Sequence, residues 1–74
     1  ALGDRFTQIA IALRVRVTPP VCAALAEIGG GDALIELVDN PGAEIPHSAY
    51  ARMLARHGDV ADLREAMLAR PDLP

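Results

Sequence analysis

The sequence contains no lysine and no tryptophan, a single cysteine, and only two aromatic residues, Phe6 and Tyr50. Each scarcity excludes something. With Cys22 alone, no internal disulfide can staple the chain, and a lone thiol fits a reducing compartment. No apolar run approaches the roughly 20 residues of a membrane span. Asp4 and Arg5 near the start break any signal-peptide pattern. A soluble, cytoplasmic chain is the expectation. The net charge of −3 argues against nucleic acid or an anionic membrane as partner. With so few aromatics, a core has to come from Leu, Ile, Val, Met and Ala, packed helix on helix. At 74 residues one small domain is the limit, near the size where a single core is only just sufficient.

What is present is a repeated plan. Residues 45–74 read IPHSAYARMLARHGDVADLREAMLARPDLP: a proline-started helix, a Gly-Asp break, a second helix, then Pro-Asp-Leu-Pro. A weaker copy begins at Val17. Gly30 matches Gly58 at an offset of 28, Leu34 and Glu36 match Leu63 and Glu65 at 29, and Pro41 matches Pro71 at 30. Single-residue insertions in loops produce such drift. Two short amphipathic helices recurring at this spacing are the grammar of an α-solenoid. The expected fold is therefore all-α, about five helices, with short antiparallel hairpins stacked as a HEAT-like solenoid. Its units span about 17–44 and 45–74, preceded by an N-terminal helix. The chain lacks an initiator methionine, and Leu73-Pro74 repeats the Ile45-Pro46 pair that opens the preceding unit. Pro74 thus reads as the start of a further helix, and the whole as a fragment of a longer protein.

Along the chain, Asp4 is placed to cap a helix over 5–14, with Phe6, Ile9, Ala10, Leu13 and Val17 at helical spacing. Residues 9–17 also alternate like a strand; the alanines favour helix, with 15–17 extended before Pro19. Thr18-Pro19-Pro20 starts the next helix, whose stripe is Val21, Ala24, Leu25 and Ile28. The glycines 29–31 end it. They invite a phosphate-loop reading, but no Gly-Lys-Ser/Thr follows, and a C-cap with a tight turn is preferred. Asp32 is expected to cap a helix over 33–39, with Leu34, Leu37 and Val38 inward. After Pro46, Tyr50, Met53, Leu54 and His57 share one face, and Ser48, Arg52, Ala55 and Arg56 the other. Gly58 breaks that helix, Asp59 is expected to cap the last, and Val60, Leu63, Met67 and Leu68 form its stripe.

No catalytic or metal motif stands out. His47 and His57 lie about 15 Å apart along one helix, too far to share a metal. His57 beside Asp59 could form an acid–base pair, but an imidazole at a helix C-terminus is equally a structural device. Cys22, in a first helical turn where a thiol pKa can fall, reads more simply as a packing residue. Asp59, Asp62 and Glu65 line one helix face and suit a solvated surface. The best surface candidates are Arg52 and Arg56 at i and i+4. Such a pair can grip a carboxylate or phosphate, or simply pair with a neighbouring Asp or Glu.

The stretch NPGAEIP, the arginine-bearing helix after it, and LREAMLARPDLP resemble a family common in alphaproteobacteria, built of HEAT-like helical repeats and known as a domain of unknown function. The resemblance covers roughly residues 18–74. It implies a curved all-helical scaffold and brings no cofactor, metal or catalytic residues. The expected function is accordingly a non-catalytic protein-interaction scaffold, with Arg52 and Arg56 as its candidate binding surface. Its partner would be a protein, and self-association through exposed repeat ends is also expected. The alternatives are a nucleic-acid-binding solenoid, or part of an enzyme completed by other segments.

Overall fold

The computed structural model describes residues 4–70, which form five α-helices: α1 (Arg5–Ala12), α2 (Pro19–Ile28), α3 (Gly31–Asp39), α4 (His47–His57) and α5 (Ala61–Leu68). Asp4 opens α1, its carboxylate accepting from the N–H groups of Phe6 and Thr7. The prolines at 19 and 20 occupy the first turn of α2, where no intrahelical N–H is required. α3 starts earlier than the sequence suggests, at Gly31, so Gly30 rather than Asp32 is its N-cap residue. Glycine has no side chain to cap with. Gln8, buried on α1, accepts the N–H of Gly30 itself through its Oε1 at 3.1 Å, and the Asp32 carboxylate, inside the first turn, accepts the Ala33 N–H at 2.8 Å. Val60, not Asp59, is the N-cap residue of α5, without a side-chain bond.

The helices pack in two layers. α1 lies on α3 and α3 on α5, while α2 lies on α4. α2 and α3 also touch across their short Gly29–Gly30 connection. Each helix of the first layer turns an i, i+3, i+4 set inward: Gln8, the partly buried Ile11 and Ala12 on α1; Leu34, Leu37 and Val38 on α3; Leu63, Ala66 and Met67 on α5. The second layer contributes Cys22, Leu25 and Ala26 from α2, and Ala49, Tyr50 and Met53 from α4. Leu25, Leu34, Leu37, Met53 and Leu63 are wholly buried, each contributing about 1.5–3 kcal/mol by removal from water. This is the all-α, helical repeat-like arrangement expected from the sequence.

The connections repeat as well as the helices. Val17 donates to the Gly42 carbonyl at 3.1 Å and Glu44 to the Val17 carbonyl at 2.9 Å, which makes an isolated parallel bridge between Val17 and Ala43. This bridge is what becomes of the alternating pattern at 9–17. The two segments run so close that a Cβ on Gly42 would lie 1.7 Å from the Val15 carbonyl oxygen. Asn40 Nδ2, just past α3, donates to the carbonyls of Ala12 and Arg14 at the end of α1. Arg70, just past α5, donates to the carbonyl of Val38 in the last turn of α3 and to those of Asn40 and Ala43 beyond it. Asn40 and Arg70 stand 30 residues apart and do the same thing one layer position on. Each supplies donors to carbonyls at or just past a helix end, where intrahelical partners run out.

The apolar stripes read from spacing do not all coincide with the buried faces. Phe6 and Leu13 are 78% and 58% exposed, because α1 turns its Gln8–Ala12 side to α3. On α2 the buried face is Cys22, Leu25 and Ala26, and Ile28 lies outside it. The helix is covered on two sides, by α3 and α4, so the interior follows their position and not the most apolar stripe. Gly29 closes α2 in extended backbone. The expectations for Pro71 and for the Leu73-Pro74 helix start lie outside the described residues.

Candidate functional site: an open apolar groove between α4 and α5

The sequence-predicted candidates are placed as follows. Arg52 and Arg56 both sit on α4, on the side that meets α2. Arg52 is exposed and pairs with Glu27 of α2 at 3.0 Å, the arrangement weighed above as the plainer alternative. A shallow alanine-lined depression, with Ala23, Ala26, Ser48 and Ala55, adjoins this pair. Arg56 reaches across to the end of α2, where its Nη1 donates to the carbonyls of Ala26 and Gly29 at 2.9 and 3.0 Å. His57 joins it, its Nε2 3.1 Å from the Gly29 carbonyl oxygen, which makes that nitrogen the donor. A cation and an imidazole at the C-terminus of α2 also suit the negative end of the helix dipole.

Cys22 is buried with its thiol directed at the Val17 carbonyl, 3.6 Å away. Burial pushes the thiol pKa up, partly opposed by the Arg70 guanidinium. That is the reverse of an activated nucleophile. Arg16 pairs with Glu44 at 2.9 Å, whose carboxylate raises the arginine pKa further. Arg5 pairs with Asp32. Asp59, Asp62 and Glu65 are exposed. Among the described residues no group of three or more His, Cys, Asp or Glu side chains is placed to hold a metal ion, and no helix is long and apolar enough to cross a membrane.

The feature that reasoning from sequence missed lies on the other side of α4. There, α4 and α5 diverge to leave a groove of about 400 Å³, floored by Tyr50, Ala51, Leu54, Met67 and Leu68. Leu54 and Leu68, both assigned inward from their spacing, are 47% and 76% exposed. The polar side chains on its rim are His47 and Arg64, and Arg64 Nη1 also donates to the Gly58 carbonyl. The repeat itself held the signal. At the offset of 28, Tyr50 and Leu54 correspond to Cys22 and Ala26; at 29, Met67 corresponds to Val38. Cys22, Ala26 and Val38 are all buried. Tyr50 and Met67 are buried as well, and the two units differ at Leu54, which is 47% exposed where Ala26 is buried on the side of α2 that meets α4.

The fold defines a class: an all-α chain of short stacked helices in a repeat-like arrangement. The chain belongs to the family described as uncharacterised protein conserved in bacteria (DUF2336), whose model matches residues 1–74. No curated protein and no solved structure matches it.

Proposed function

We propose that this chain is a non-catalytic protein-interaction module built from HEAT-like repeats, working in the cytoplasm. The observation that carries the reading is the open groove between α4 and α5, where Leu54 and Leu68 remain in water beside a well-packed interior. The two leucines offer an apolar surface that a partner could cover. The single free thiol, buried and not activated, is in keeping with a reducing compartment. The face bearing Arg52 is a secondary candidate surface, since its guanidinium remains exposed while paired.

The test is affinity capture from a bacterial lysate on three immobilised forms: the wild-type chain, Leu54→Glu/Leu68→Glu, and Arg52→Glu. Arg56 is left intact because it ties α4 to α2. Wild type should retain a specific protein that the leucine double variant loses. Loss with Arg52→Glu alone would move the interface to the other face of α4 and keep the module reading. Recovery of nucleic acid or a small molecule, with no protein, would overturn it.

A further inference from the structure

We draw no further inference here: the strongest candidate, the shallow alanine-lined depression between α2 and α4 beside the exposed Arg52–Glu27 pair, is a stripe of small residues whose charged pair is closed on itself, and nothing in the structure shows what covers it.

Discussion

Replacing Arg56 by methionine should cost far more stability than the same change at Arg52, one turn away on the same helix. The residues look alike in sequence, and their surroundings separate them. Arg56 is half-buried, and its Nη1 donates to the Ala26 and Gly29 carbonyls at the end of α2. Hydrogen bonds from a charged group are worth about 1.5–3 kcal/mol each. Allowing roughly half for water that can reach a partly open site, the pair contributes about 2 kcal/mol. A cation near a helix C-terminus adds roughly 0.3–1 kcal/mol, giving about 2–3 kcal/mol in all. Arg52, by contrast, makes an exposed ion pair with Glu27, typically worth about 0–1 kcal/mol. Methionine preserves most of the aliphatic stem, so lost packing contributes little to either figure. In a domain of this size each kcal/mol moves the midpoint by about 4–8 °C. Thermal and urea unfolding followed by far-ultraviolet circular dichroism should therefore show Arg56→Met melting about 10 °C or more below wild type, with Arg52→Met within about 5 °C. If the two variants melt together, or Arg52→Met is the less stable, the assignment of Arg56 as the tie between α4 and α2 is refuted.

Gly42→Ala should be among the most damaging small substitutions, at about 2 kcal/mol or more, because its Cβ would meet the Val15 carbonyl oxygen at 1.7 Å; a urea midpoint equal to wild type would show that the two connections do not approach so closely. Cys22 should react slowly with iodoacetamide in the folded chain and rapidly in urea, since it is buried with a raised pKa. The same shift sets a pH dependence. The unfolded thiol loses its proton first as pH rises past its ordinary value of 9.0, so the unfolded state binds fewer protons there and stability falls with increasing alkalinity. Cys22→Ala should flatten that alkaline loss, and an identical slope in both proteins would assign it to other groups.

Much of the architecture was legible because punctuation and period agree. Proline at 19, 20 and 46 and glycine at 29, 30 and 58 fix where helices can start and stop, and α3, α4 and α5 fall within a few residues of where those signals put them. The leucines at 34, 37 and 63 are wholly buried, as their spacing requires. The side that each helix turns inward was less legible. An α1 stripe through Phe6 and Leu13 is the more apolar one, yet the chain buries Gln8 and Ala12. A glutamine gains from that choice because its amide oxygen accepts the Gly30 N–H at the start of α3, and that partner lies 22 positions away. Helical spacing reports that a stripe exists. It does not report which neighbour claims it.

The same reasoning explains why the arginines drew attention in sequence and the groove did not. Across the described residues, side-chain hydrogen bonds repeatedly join residues about one unit apart: Asn40 to Ala12 and Arg16 to Glu44 at 28, Arg56 to Ala26 and Arg70 to Asn40 at 30. A polar side chain one unit on supplies the donors that a helix end cannot find locally. An arginine at such a position therefore has a structural task before it can have a binding one, and its charge is a poor guide to where a partner sits. Apolar residues in the α4–α5 groove present the opposite case. Leu54 and Leu68 have the composition of core and the exposure of surface, and only the comparison with the buried Ala26 and the exposed Asp39 one unit earlier reveals this. At position 68 the chain carries leucine where its own repeat carries aspartate, at a place that is exposed in both. On the interaction-module proposal, Leu68 belongs to a surface that leaves water on meeting a partner.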